Sequence, residues 1–80
     1  MTTDNSVTIS NVLVFKTNIL SDEDIITVAQ ILAPEDKIFR WNVDRADIDN
    51  VLRIEGCGIE SGYIVDLFCA AGFQCEELPD

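Results

Sequence analysis

An α+β fold with the element order β-α-β-β-α-β is what this sequence predicts, and three observations predict it. Runs of β-branched or alternating apolar residues are interleaved with two stretches whose apolar residues recur at helical spacing. The helical stretches are bounded by serine, proline and glycine, whose backbone chemistry starts and stops helices. At 80 residues the chain has room for one core and no second, so all elements must share it.

The first strand is expected between Val7 and Ile19, with Val12 and Val14 facing one way and Leu13 and Phe15 the other. Ser21 is a good N-cap for the helix that follows. Asp22 to Asp24 fill its first turn, where the helix dipole favours anions, and Ile25, Val28, Ala29 and Leu32 form its apolar stripe. Pro34 stops it. Phe39, Trp41 and Val43 then alternate with Arg40, Asn42 and Asp44, the pattern of a half-exposed edge strand.

The polar cluster 45–50 makes a turn, and Val51-Leu52-Arg53-Ile54-Glu55 returns as a strand that a short loop forces to be antiparallel. Gly56 and Gly58 punctuate its end. The second helix is expected from Ser61 to Ala71, burying Ile64, Leu67, Phe68 and Ala71, with Gly72 as its C-terminal stop. Residues 73–78 make a short last edge strand. The usual packing of this order is a four-stranded antiparallel sheet with both helices on one face, the ferredoxin-like plait. Residues 1–80 are thus one domain, with 1–6 and 79–80 frayed.

An apolar fraction of 48% excludes disorder through low hydrophobicity, while a formal net charge of −10 puts a strong negative field on the surface. Five basic residues against fifteen acidic ones argue against nucleic acid and anionic lipid as partners. Cys57, Cys69 and Cys75 are odd in number and lack a CxxC spacing, so no disulfide framework is implied. The first residues carry no basic-then-apolar leader and no apolar run reaches the length of a membrane span, which makes a reducing, cytoplasmic setting the expectation.

Four stretches in register resemble the heavy-metal-associated family, small domains found as copper chaperones and as modules of metal-transporting ATPases. They are Phe15-Lys16-Thr17-Asn18-Ile19, Trp41-Asn42-Val43-Asp44, Val51-Leu52-Arg53-Ile54-Glu55-Gly56 and Ala71-Gly72-Phe73. The resemblance implies the plait fold and a soft-metal site formed by a CxxC pair before the first helix. In this chain the register puts Ser21 and Asp24 where those cysteines would stand. An alcohol and a carboxylate do not supply the polarisable sulfur that Cu(I) or Zn(II) sites use. The expectation is therefore a degenerate member with no metal and no cofactor. Ser21 and Asp24 instead have the spacing of a capping box.

Other clusters offer less. Adjacent Asp22, Glu23 and Asp24 point about 100° apart on a helix and do not converge on one cation. Asp44, Asp47, Asp49 and Glu55 invite comparison with a calcium loop, but Ala46 and Ile48 offer no side-chain oxygen and Asp49 replaces the required glycine. With no histidine in the chain, nucleophile and base would have to be Cys, Lys or carboxylates, and no spacing suggests such a pair, so no enzyme activity is expected.

The remaining candidate is the outer face of the second helix, where Gly62, Tyr63, Asp66, Cys69 and Ala70 carry one charge between them. A face so poor in charge reads as a docking surface for a protein partner or a second copy. The functional expectation is a small non-catalytic interaction module. The alternative is a metal-binding or metal-delivery protein that uses other ligands, such as the displaced cysteines.

Overall fold

The structure is a computed structural model and describes residues 11–79. Strand β1 (Asn11–Thr17), helix α1 (Asp22–Leu32), strands β2 (Ile38–Asp44) and β3 (Val51–Gly56), helix α2 (Ser61–Ala70) and strand β4 (Cys75–Glu77) follow in the expected order. The expected start of the first strand at Val7 and the expected fraying of 1–6 and of Asp80 lie outside the described residues; Pro79 is exposed and outside any strand. All strand pairs are antiparallel and form one sheet in the order β2-β3-β1-β4.

The core is one cluster. Phe15 of β1 and Leu52 and Ile54 of β3 meet Val28 and Leu32 of α1 and Ile64 and Phe68 of α2, with Ile19 and Ile59 from the loops. Phe68 is fully buried, so truncation to alanine costs about 3 to 5 kcal/mol. That is a large share of the roughly 4 to 12 kcal/mol expected of a chain this size.

Several local expectations are corrected by packing. β1 has one covered side only: Phe15 and Thr17 are buried, whereas Val12 stays 41% exposed on the other side. Ala29 and Ala71 are exposed, because the apolar contact of each helix is narrower than its apolar spacing suggests. Phe39 is also exposed. The register of β2 against β3 slips between Ile38 and Arg40, so a bulge inserts Phe39 as an extra residue. Half-buried Ile38 takes the inward place that simple alternation assigns to Phe39.

The ends of the helices follow their local chemistry. At the end of α2, Gly72 adopts φ 94°, its N–H donates to the Cys69 carbonyl at 3.0 Å and the Phe73 N–H donates to the Phe68 carbonyl at 3.0 Å. This is a Schellman motif, completed by contact between the Phe68 and Phe73 rings at a centroid distance of 6.0 Å. The turn fixes the direction in which the chain enters β4.

Candidate functional site

The entrance to α1 is built around Thr17, which the sequence reading quoted without giving it a role. Thr17 is buried at the end of β1. Its N–H donates to the Asp49 carbonyl at 3.0 Å, its hydroxyl donates to the Asn50 carbonyl at 2.6 Å, and its Oγ1 accepts from the Ile19 N–H at 3.2 Å. A buried hydroxyl with every polar contact met ties the β1–α1 loop to the β2–β3 loop. Asn50 supports that loop from φ 45°, a left-handed conformation that asparagine tolerates.

Ser21 and Asp24 are brought together as the spacing predicts. Ser21 Oγ accepts from the Asp24 N–H at 3.0 Å, and Asp24 Oδ2 accepts from the N–H groups of Leu20 at 3.0 Å and Ser21 at 3.2 Å. The box is complete. The backbone N–H bonds from Leu20 and Ser21 hold the Asp24 carboxyl below its ordinary range, because they favour the charged form. The same atoms do not fit a soft cation: Oδ2 is already occupied by two donors, and neither residue offers sulfur.

The displaced cysteines stand at three different places in the fold, with Cys69 and Cys75 as neighbours. Cys57 follows β3, where its N–H donates to the Lys37 carbonyl at 2.9 Å, whereas Cys69 lies in the last turn of α2 and Cys75 begins β4. Cys57 and Cys69 are exposed. Burial, with a smaller contribution from the neighbouring Cys69, pushes the half-buried Cys75 thiol up to about 11, which leaves it protonated at neutral pH and a poor metal ligand. Among the described residues no group of three or more His, Cys, Asp or Glu side chains is placed to hold a metal ion. No described helix is long and apolar enough to cross a membrane.

Gly62, Tyr63, Asp66, Cys69 and Ala70 are all exposed along α2. Tyr63 is less free than its wheel position suggests. Its hydroxyl donates to Glu35 Oε2 at 2.9 Å, bracing α2 against the loop after α1. That bond is the main reason the Tyr63 phenol titrates above its ordinary value, since the carboxylate favours the neutral form. A phenol so held is not an activated nucleophile. The cleft of about 520 Å³ beneath it is lined by Pro34, Glu35, Lys37, Gly58, Glu60 and Tyr63.

Two loop residues present open apolar side chains: Leu20, to which the sequence gave no role, is 64% exposed, and Ile48, weighed there only as a calcium-loop position, is 95% exposed. They sit on the two loops that Thr17 ties together. No periodicity marks them, because each is a single apolar residue within a polar loop.

No family model matches this chain, and no curated protein or solved structure shows significant similarity to it.

Proposed function

We propose that this chain is a non-catalytic protein-interaction module with a ferredoxin-like plait, a degenerate relative of the heavy-metal-associated domains, and that it docks its partner on the outer strip of α2. The observation that carries the reading is the continuous exposure of Gly62, Tyr63, Asp66, Cys69 and Ala70, with Asp66 as the single charge. Support for the plait comes from the strand order β2-β3-β1-β4 and from the shared core of both helices with Phe15, Leu52 and Ile54. The cytoplasmic setting belongs to the same proposal and rests on the three unpaired thiols.

The net charge of −10 selects the chemistry of the partner. A basic surface with apolar side chains is drawn by the field and then held by apolar contact. The test uses the whole chain as bait and repeats binding with the purified partner. Ala70→Glu should weaken that complex at least about tenfold, as a charge placed within an apolar contact does. A partner indifferent to this change, or one that binds equally well to an unrelated acidic protein, overturns the α2 assignment.

The metal-delivery alternative has its own test. Titration of the reduced protein with Cu(I) or Zn(II) should give no site tighter than micromolar. A tight site, whether lost on replacing Ser21 and Asp24 by alanine or on replacing Cys57, Cys69 and Cys75 by serine, would restore a carrier role.

A further inference from the structure

Strand β2 is an edge of the sheet, and no described strand pairs with its outer side. It is seven residues long, against three for β4 at the opposite edge. Unpaired N–H and C=O groups along such an edge are a template for another strand. The side chains of β2 say which strand fits.

Laid antiparallel against its own copy about a two-fold axis at Asn42, β2 sets Arg40 opposite Asp44 of the other copy and Asp44 opposite the other Arg40. Asn42 then meets Asn42, an amide pair in which each side chain both donates and accepts. On the core-facing side Trp41 meets Val43 twice, an aromatic with a β-branched residue, which is a favourable cross-strand pair. No other register over Arg40 to Asp44 makes both charge pairs at once.

The charged groups have capacity for these contacts. Arg40 engages Glu55 Oε1 through Nε at 2.8 Å, leaving both Nη groups for a second carboxylate. Asp44 Oδ1 accepts from the Ala46 N–H at 3.1 Å, and Oδ2 has no partner among the described residues. Pairing would therefore extend a row of alternating sign: Glu55, Arg40, then the other copy's Asp44. Trp41 and Val43 are only half-buried in the single chain, so a second strand also covers apolar surface left at the edge.

Charge favours this edge over other self-contacts. The chain carries −10, whereas Ile38–Asp44 holds one cation and one anion and so no net charge. Two copies approaching through β2 meet with opposite charges in register, and more distant repulsion is screened at physiological salt.

We propose that the chain forms a weak two-fold homodimer by antiparallel pairing of β2 with β2 of a second copy, making one continuous eight-stranded sheet. The pairing uses a surface other than α2, so loss of either interaction leaves the other standing. The alternative role for Arg40 and Asp44 is to blunt a strand edge and keep the chain single.

Sedimentation equilibrium over a concentration series and concentration-dependent amide shifts test the proposal. The expected result is a reversible dimer with shifts concentrated at residues 38–44. Asp44→Arg and Arg40→Asp, each alone, set like charges opposite each other at both ends and should weaken the dimer about tenfold or more. An equimolar mixture of the two variants restores both opposite-charge pairs and should dimerise at least as well as the unaltered chain.

Asn42→Lys places two cations on the axis at an exposed position and should also give monomer, with an unchanged thermal midpoint showing that the fold survives. A chain that stays monomeric at the highest concentration, a dimer indifferent to Asp44→Arg, concentration-dependent shifts centred on α2, or a mixture that does not reassociate overturns the assignment.

Discussion

The guanidinium of Arg45 donates to Asp22 Oδ1 at 2.9 Å and, from the same Nη1, to the Leu20 carbonyl at 3.1 Å. A residue of the β2–β3 loop thereby grips the entrance to α1 beside the capping box. Together with the Thr17 bonds to Asp49 and Asn50, it makes this end of the molecule a joined pair of loops. The entrance to α1 is therefore both a cap and a clasp.

The cap should matter more than the clasp. Ser21→Ala removes the acceptor for the Asp24 N–H and should cost about 1 kcal/mol, read as a lower denaturant midpoint with an unchanged slope. The Arg45–Asp22 pair is exposed, with Asp22 91% accessible, so Asp22→Asn should cost at most about 0.5 kcal/mol. A larger loss from Asp22→Asn than from Ser21→Ala would reverse this ranking.

Acid should act through Asp24. Its carboxyl is depressed in the folded chain, so its stabilisation is present above the ordinary Asp range and is lost as pH falls through the lower folded value. Comparison of unfolding curves for the native chain and Asp24→Asn should show the two converging at acid pH. Parallel curves down to pH 2 would remove Asp24 from the account.

Two glycines should respond in opposite directions. A Cβ at Gly56 would run into the Lys37 carbonyl and Ile59 Cδ1, and since a backbone atom cannot yield cheaply, Gly56→Ala should cost about 1 to 3 kcal/mol. A Cβ at Gly62 meets nothing within 4 Å on an exposed helix, so Gly62→Ala should stabilise by about 0.5 to 1 kcal/mol. Thermal midpoints of the two variants decide it.

The three thiols should separate by reactivity. Cys57 and Cys69 are exposed and should react promptly with a water-soluble disulfide reagent at pH 8, while Cys75, held up at about 11, should lag well behind. Because the folded Cys75 value lies above the unfolded one, its contribution to stability is complete below the ordinary thiol range and is lost as pH rises through about 11. Three equal rates in the folded chain would contradict the burial of Cys75.

The amino-acid sequence by itself determined what depends on near neighbours. The order of the elements, the Ser21–Asp24 box, the stop after Leu32 before Pro34 and the left-handed Gly72 all follow from chemistry within a few residues. Cross-strand partners were beyond its reach. The bulge that throws Phe39 outward exists only against β3, and the role of Thr17 exists only once the 45–50 loop is folded beside it. Likewise the exposure of Ala29 depends on where the neighbouring elements stop. Periodicity records which side of an element is apolar; which of those side chains is finally covered is decided by what other elements bring against it, and that information is spread across distant parts of the chain.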